Sequence, residues 1–287
     1  MDHELWNQLS HAMFDVARSF PMHSRQTYDT HRIVRVYLWA VLHDRPVDWA
    51  TRPTSWSSQT RPDNIPDQST MSRRLRHPDT ISFMNKLSRR LAGPAQETLI
   101  KYLDGKSLPI ARHTQDKDAT CGRGVGGMAK GYKLHAIWGS YAMPMAWSVQ
   151  PLNVAEVAEA KSLIRQLRGE GYLLADCNFD RNFLYDLAAQ FGHQLLAQRQ
   201  EPGTSLGHRR QSSYRLRSIH LLEKAPSPFG RQLYKLRGSI ERQFGGMVNF
   251  GGGLQSLPAW VRTLPRVRLF VHAKLLINAA RLRRLCA

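Results

Sequence analysis

Apolar residues recur at helical spacing through much of the first 92 residues. The residues that form these stripes are Leu5, Leu9, Met13 and Phe14 in one stretch, and Ile33, Val34, Tyr37, Leu38 and Val41 in the next. Because residues three and four apart share one face of a helix, both stretches are predicted to be amphipathic helices. A third is predicted over residues 81–92, and residues 45–66, rich in Pro, Ser, Thr and Trp, are predicted to be a long connection. The region 1–97 is therefore expected to be mainly α-helical.

The segment Asp67–Arg76 (D-Q-S-T-M-S-R-R-L-R) has a different, polar character. Ser69 or Thr70 can cap a short helix there, and its exposed face would carry Arg73, Arg74 and Arg76. A short helix with such a face suits insertion into the major groove of DNA. The alternative is an ordinary basic surface helix. We expect Arg73 and Arg74 to contact DNA.

From about residue 98 the pattern changes to short apolar strands alternating with helices. The strand Thr98–Leu103 leads into Asp104, and the strand at 172–175 (Y-L-L-A) leads into Asp176. Further strands are predicted at 131–138, 143–149 and 195–197, and helices at 156–168 and 181–191. This alternation predicts one mixed α/β domain over residues 98–287.

The glycine-rich segment 116–131 is predicted to be a mobile loop. Its G-R-G-V-G-G could be taken for a phosphate-binding loop. However, no strand is predicted before it, and no Gly-Lys-Ser/Thr follows it.

The segment 232–246 (Q-L-Y-K-L-R-G-S-I-E-R-Q-F-G-G) is predicted to be one helix. Its apolar residues fall at steps of three and four, and the glycine pair at 245–246 is predicted to end it. On that geometry Tyr234, Arg237 and Glu241 stand one turn apart on a polar edge. A solvated Arg–Glu pair is the alternative interpretation of this edge.

Charge narrows the range of possible functions. The chain has 41 lysines and arginines against 22 acidic residues, a formal net charge of +19, with 42% hydrophobic residues, enough for a core. Such a surplus favours a polyanionic partner, nucleic acid above all, although solubility alone is the alternative. No apolar run of about 18 residues predicts a membrane helix, and the N-terminus lacks the pattern of a secretory signal. The three cysteines form neither a disulfide framework nor a zinc pattern, so a reducing cytoplasm is expected.

Three carboxylates stand out by position: Asp104 and Asp176 after strands, and Glu241 within the predicted helix. Acids at strand ends can converge at the rim of a sheet, and carboxylate oxygens are the ligands that Mg²⁺ prefers. A pair of such ions can stabilise the attacking and leaving oxygens of an in-line phosphoryl transfer. On this hypothesis Asp104 bridges two Mg²⁺ ions while Asp176 and Glu241 each bind one, and Mn²⁺ is expected to substitute. Each aspartate could instead be a simple turn former.

Together these segments resemble bacterial insertion-sequence DDE transposases of the IS4/IS5 type. The resemblance lies in Y-K-L-R-G-S-I-E-R around Glu241, L-L-A-D-C-N-F-D around Asp176, Y-L-D-G-K-S around Asp104, and G-Y-K-L-H at 131–135. It covers roughly residues 98–285. Over residues 1–97 it is looser, chiefly I-P-D-Q-S-T-M-S-R-R-L, which looks like the helix-turn-helix region of that family.

The resemblance implies an RNase H-like catalytic domain and an enzyme that cuts and joins transposon ends. Asp104, Asp176 and Glu241 become the metal ligands, while Tyr234 and Arg237 become contacts to the terminal phosphates. The partners implied are double-stranded DNA, as terminal inverted repeats and as target, and a second copy of the chain in a homodimer on that DNA. A bacterial, nucleoid-associated protein is expected.

One position departs from the family pattern. A lysine usually stands seven residues after the glutamate, and here that residue is Val248. Either another cation such as Arg242 supplies that phosphate contact, or this copy is catalytically impaired. The alternative function is therefore an impaired or co-opted sequence-specific DNA-binding protein. A nuclease that hydrolyses DNA without joining it is a third possibility.

Overall fold

A computed structural model describes residues 3–21, 26–92, 98–124, 126–140, 142–208, 210–254 and 256–286, without the side chains of 284–286. The chain divides into two compact units. Met1–Pro94 together with Met247–Ala287 make the first unit, and Ala95–Gly246 make the second. In the described part of the chain, no helix combines the length and apolar character that crossing a membrane requires.

The secondary structure alternates as the sequence indicates, with shifted boundaries. The α-helices are α1 (His3–Ala17), α2 (Thr30–Leu42), α3 (Val47–Ala50), α4 (Gln68–Arg74), α5 (Pro78–Ala92), α6 (Glu156–Ile164), α7 (Asn182–Gln190), α8 (Ser213–Ile219), α9 (Phe229–Lys235), α10 (Gly238–Val248) and α11 (Leu264–Cys286). The strands are β1 (Ile100–Ile110), β2 (Thr120–Gly124), β3 (Gly127–Trp138), β4 (Ala146–Pro151), β5 (Gly171–Leu174) and β6 (His193–Leu196).

The first unit is a helical core in which α1, α2, α5 and α11 all pack on one another. The ring of Trp6 lies edge-on to that of Trp39, with centroids 4.7 Å apart. Helix α11 is buried over residues 270–280, because the N-terminal helices surround its middle. Residues 247–287 group with this first unit by compactness, and not with the second domain in which the sequence pattern places them.

A buried lysine holds part of this unit together. The ammonium of Lys274 donates to the carbonyl oxygens of Val41 at 2.9 Å and Gly252 at 2.8 Å, and to Oδ1 of Asp44 at 2.5 Å. Burial lowers the pKa of Lys274, and the Asp44 carboxylate opposes that effect. These bonds fasten the end of α2 and the turn at 251–253 to α11, as a buried charge requires.

The second unit is built on a mixed sheet with helices on both faces. The strand order is β2-β3-β1-β5-β6, and β4 also pairs with β3. The pairs β1–β3, β2–β3 and β3–β4 are antiparallel, whereas β1–β5 and β5–β6 are parallel. One face packs against α6 and α7 around Leu163, Leu173 and Leu184. The other packs against α9 through Leu174, Leu196 and Leu233.

The prediction of a mobile loop over residues 116–131 is wrong. Most of this segment forms β2 and the start of β3, which pair from Thr120 opposite Gly131 to Gly124 opposite Gly127. The segment is anchored at Asp116, whose Oδ2 accepts a 2.8 Å hydrogen bond from the buried Tyr132 hydroxyl. The segment has few of the apolar side chains from which strands are predicted, and it forms a strand because its backbone pairs with β3.

The single helix predicted over residues 232–246 is two helices, α9 and α10. Between them the backbone makes i→i−3 hydrogen bonds, from the amide of Leu236 to the carbonyl of Leu233 and from that of Ser239 to that of Leu236. Gly238 comes directly after the break at residues 236–237, and glycine disfavours a continuous helix. The predicted stop at residues 245–246 is also wrong, since α10 continues to Val248.

Gly131 gives a direct test of the sheet, because it has φ +155° and an added Cβ would lie 2.3 Å from the backbone oxygen of Leu108. We expect Gly131→Ala to lower the free energy of unfolding by more than about 3 kcal/mol, since two paired strands would have to separate. Gly126→Ala is the control: its φ of +85° carries backbone strain, but nothing lies within 4 Å. That variant should lose only about 1 kcal/mol. Chemical denaturation of both variants measures the difference, and equal losses would contradict this description.

Candidate active site

Asp104 lies within a strand and not at its end. The prediction that the strand ends at Asp104 is wrong, because β1 continues to Ile110 with β3 paired along it. Asp104 pairs with Ala136, and its carboxylate Oδ1 accepts a 2.7 Å hydrogen bond from the amide of Gly105. Alternation along a strand puts Asp104 on the same face as Tyr102, the face that packs against α9.

Asp176 follows β5 as the sequence predicts. In the parallel pair Tyr102 lies opposite Leu174, so continuing that register by two residues brings Asp104 and Asp176 level with each other. Asp176 caps the 3₁₀ turn Cys177–Phe179, and its Oδ1 accepts from the amide of Asn178 at 2.9 Å. The turn-forming role and a place in a site are thus compatible for this residue.

Asp104 is affected by the charge of Asp176. Burial raises the pKa of Asp104 to about 6, and the negative charges of Asp176 and Glu156 add to this effect. Burial also raises the pKa of Asp176, with Glu156 contributing again. The guanidinium of Arg237 opposes the rise at both residues. A desolvated carboxylate pair of this kind attracts a cation.

Glu241 does not join this pair in the structure. It lies in the first turn of α10 with its side chain 68% exposed, and its Oε1 is 3.4 Å from Nη2 of Arg237. It is not among the charges that act most strongly on either aspartate. Within the described ranges, no three His, Cys, Asp or Glu residues form a group that could hold a metal ion. Arg237 therefore interacts with Glu241 by direct contact and with the two aspartates through its charge.

The donor chemistry of the aspartate pair nevertheless fits a hard divalent cation. Mg²⁺ binds in many enzymes through one or two carboxylates and completes its coordination with water or substrate phosphate. Asp104 and Asp176 supply such carboxylates, in surroundings whose burial disfavours their charge unless a cation is present. The chemistry of this pair therefore fits such an ion, whereas a three-carboxylate site would require Glu241 to move.

Tyr234 contacts the segment that carries Asp176. Its hydroxyl donates a 3.0 Å hydrogen bond to the carbonyl of Ala175, the residue before Asp176. Tyr234 thereby fastens α9 to the end of β5. The contact to a DNA phosphate that the family resemblance implies for this phenol would require its hydroxyl to leave the Ala175 carbonyl. Arg242, the proposed substitute for the missing lysine, is exposed, and its guanidinium donates to Oγ of Ser239 at 2.7 Å.

A second aspartate of the L-L-A-D-C-N-F-D segment is structural. Asp180 is buried, and its carboxylate accepts two hydrogen bonds from Arg215, at 2.7 and 2.6 Å. The Tyr185 hydroxyl donates to it at 3.1 Å. A forked, charge-assisted pair of this kind fixes geometry, and here it holds the chain just after Asp176.

Two further charged residues near the aspartates, Glu156 and Lys133, have no role predicted from the sequence. Glu156 begins α6, and its Oε1 accepts from the ammonium of Lys133 on β3 at 2.6 Å. Lys133 belongs to the G-Y-K-L-H segment, and the resemblance of that segment to a family strand is the sequence feature that could have pointed to it. Glu156 looked like an ordinary acid in the first turn of a helix, because the strand pairing that brings it near Asp104 does not show in the sequence.

In the first unit, the two arginines proposed to contact DNA lie in different surroundings. Arg73 is exposed on α4. Arg74 is half-buried, and its guanidinium donates to the carbonyl of Tyr28 at 3.1 Å and to Oγ1 of Thr30 at 3.2 Å. The helix is capped by Asp67 and not by Ser69 or Thr70, since Asp67 accepts from the amide of Thr70.

The raised pKa of Asp104 predicts how stability depends on pH. Its pKa of about 6 in the folded state lies above the ordinary 3.8. The protein therefore loses stability as pH rises from about 4 to about 6, because ionising this carboxylate is less favourable in the folded state than in the unfolded state. Asp104→Asn removes this cost and keeps the acceptor for the Gly105 amide. We expect this variant to be more stable than the parent at pH 7 by about 1–3 kcal/mol, with no gain near pH 3.5.

Urea denaturation at both pH values measures this effect. Asp180→Asn serves as the control, because it weakens the charge-assisted bonds to Arg215 and should destabilise the protein at pH 7. An Asp104→Asn variant less stable than the parent at pH 7 would contradict the electrostatic description of the pair.

Comparison with known proteins identifies the family. The sequence model of the transposase DDE domain family matches residues 96–276, more than half of the chain, and these include Asp104, Asp176 and Glu241. A comparison with curated proteins gives no match. The described fold, a mixed sheet flanked by helices, is consistent with this family. The chain therefore belongs to the transposase DDE domain family, and DNA is its partner.

Proposed function

We propose that this transposase cuts and joins the ends of a bacterial insertion sequence of the IS4/IS5 type, using two divalent cations held in an RNase H-like domain. The observation that carries the proposal is the Asp104–Asp176 pair, with Asp104 on β1 and Asp176 just after the neighbouring strand β5, both partly buried and under the influence of Arg237. Two buried carboxylates that the guanidinium of Arg237 only partly compensates suit a site that binds a further positive charge.

Glu241 completes the site in this proposal by turning toward the aspartates when cations and DNA bind. Its exposed side chain costs little to reorient, and its only described ion pair is a 3.4 Å contact with Arg237. The break before Gly238 separates it from the anchored residue Tyr234. Arg237 would then be released from Glu241 to contact a phosphate of the DNA end.

The chemistry assigned to the ions is the activation of water or of a DNA 3′-hydroxyl and the stabilisation of the leaving oxygen. Mg²⁺ is the proposed ion, with Mn²⁺ as a substitute. The chain itself supplies the carboxylates and the Tyr234 contact that fixes the backbone before Asp176. It also supplies basic side chains that contact the DNA phosphates. We assign Arg242 to that last role, in place of the lysine that Val248 replaces.

The DNA recognised is proposed to be the terminal inverted repeat, with two copies of the chain acting together on two ends. The helical region at the N-terminus, with α4 and its exposed Arg73, is the proposed reading element. A net charge of +19 supports binding to phosphates in general. Arg74 is the weaker candidate for this role, because its guanidinium already holds the chain next to α2.

The second candidate function is a DNA-binding protein without catalysis, favoured by Val248. Titration of Mn²⁺ into the protein by calorimetry separates the two functions. The enzyme should bind Mn²⁺ through its acids, so the heat should disappear when Asp104, Asp176 and Glu241 are all replaced. Binding that survives this loss favours the second function. A strand-transfer assay distinguishes a transposase from a nuclease that only hydrolyses.

The enzyme is expected to nick a duplex that carries the repeat end, and to do so only with Mg²⁺ or Mn²⁺. Asp104→Ala, Asp176→Ala and Glu241→Ala should each reduce the nicking rate at least 100-fold, because each removes a proposed cation ligand. Glu159→Ala is the control, since this acid on α6 accepts from Oγ of Ser148 at 2.7 Å and has no place in the site. If Asp104→Ala and Glu241→Ala nick as fast as the parent, the site is wrongly assigned.

Replacing Arg73 and replacing Arg74 should have different effects on DNA binding and on stability. Arg73→Ala is expected to weaken binding to the cognate end about tenfold, and more than binding to random duplex, if α4 reads bases. Arg74→Ala should instead lower the free energy of unfolding, because the carbonyl of Tyr28 loses its donor. Fluorescence anisotropy and thermal unfolding measure these two effects. Equal weakening by Arg73→Ala on both DNAs would show a phosphate contact only.

A further inference from the structure

Glu156 and Lys133 form a shielded ion pair in the second unit, close to the aspartates. The Lys133 ammonium lies 2.6 Å from Oε1 of Glu156, and the two side chains are only 13% and 21% exposed. Surface ion pairs hold two mobile side chains in one geometry and contribute little. This pair is largely withdrawn from water, so its charges act over a longer range.

The pair lies over a place where β1 has no side chain. A Cβ added to Gly105 would be 3.1 Å from Cδ of Lys133, 3.4 Å from Oε1 of Glu156 and 3.4 Å from Nδ1 of His135. Gly105 comes directly after Asp104, and neighbouring residues of a strand face opposite sides of the sheet. Glu156 therefore approaches the aspartates from the face opposite Asp104, with the backbone at Gly105 in between.

The charge of Glu156 acts on both aspartates. It is among the charges that act on Asp104 and also among those that act on Asp176. Glu159, one turn further along α6, acts on neither to a comparable degree, although both glutamates act on His135. Burial lowers the pKa of His135 to about 4, so the ring is neutral at pH 7 and adds no charge there.

We propose that Glu156 is a positioning residue of the cation site: its carboxylate, held by Lys133, adds negative potential across Gly105 and strengthens cation binding by Asp104 and Asp176. This inference rests on the proposed function. Glu156 acts through space on the aspartates and is not itself a ligand. Lys133 has the opposite electrostatic effect on a cation, while it fixes where the carboxylate stands.

The opposite signs of the two charges give the test. Mn²⁺ is titrated into the full-length protein by calorimetry, without DNA, and the dissociation constants of the variants are compared. Glu156→Gln should weaken Mn²⁺ binding about tenfold, the scale of outer-shell effects at metal sites. Lys133→Met should bind Mn²⁺ at least as tightly as the parent, because a positive charge has been removed. The matched control Glu159→Gln should bind like the parent.

A purely structural ion pair predicts a different pattern. Both Glu156→Gln and Lys133→Met would then weaken Mn²⁺ binding together, in step with a loss of thermal stability measured without Mn²⁺. That result overturns the inference, as does a Glu156→Gln variant that binds like the parent. Failure of the proposed function looks different: Mn²⁺ would bind neither the parent nor any variant, or would still bind after Asp104→Asn and Asp176→Asn are combined.

Discussion

The candidate site in the second unit is governed by the cost of burying two carboxylates that the sheet topology brings near each other. Parallel pairing of β1 with β5 brings Asp104 and Asp176 level, and burial makes their negative charges costly. Arg237 reduces that cost, whereas Glu156 increases it. A fold optimised only for stability would not keep this arrangement, since neutral residues would pack there without the penalty. The cost is understandable if the position has to attract cations.

The surrounding contacts make sense as ways of keeping these acids in place. The Tyr234 hydroxyl holds the carbonyl before Asp176, and the forked Arg215–Asp180 pair holds the chain after it. On β1 the backbone is held by long pairing with β3. Glu241 has no comparable anchor among the described contacts, for its carboxylate is exposed and meets only Arg237. Two of the three acids proposed for the site are thus held by the fold, while the third has no such anchor among the described contacts.

Much of this arrangement could be predicted from local patterns. The strands that lead to Asp104 and Asp176, the mixed α/β class and most of the N-terminal helices followed from apolar spacing and capping residues, which act over a few residues. Relations between distant segments could not be predicted. Nothing local shows that Lys133 meets Glu156, or that a glycine-rich stretch pairs onto β3 as a strand. The break at residues 236–237 was also missed, because the apolar spacing continues across it while the backbone bonding changes. Whether Glu241 joins the aspartates stays a prediction.

The discontinuous composition of the first unit has a consequence for how the chain is made and handled. The N-terminal helices leave the ribosome well before α11, the helix that packs among them and fills their core. Lys274, whose three hydrogen bonds fasten α2 and the 251–253 turn, arrives with it. The second unit is continuous in sequence and meets no such delay. A fragment that stops at residue 97 therefore exposes the apolar faces that α11 covers, and it is a poor starting point for isolating the N-terminal region.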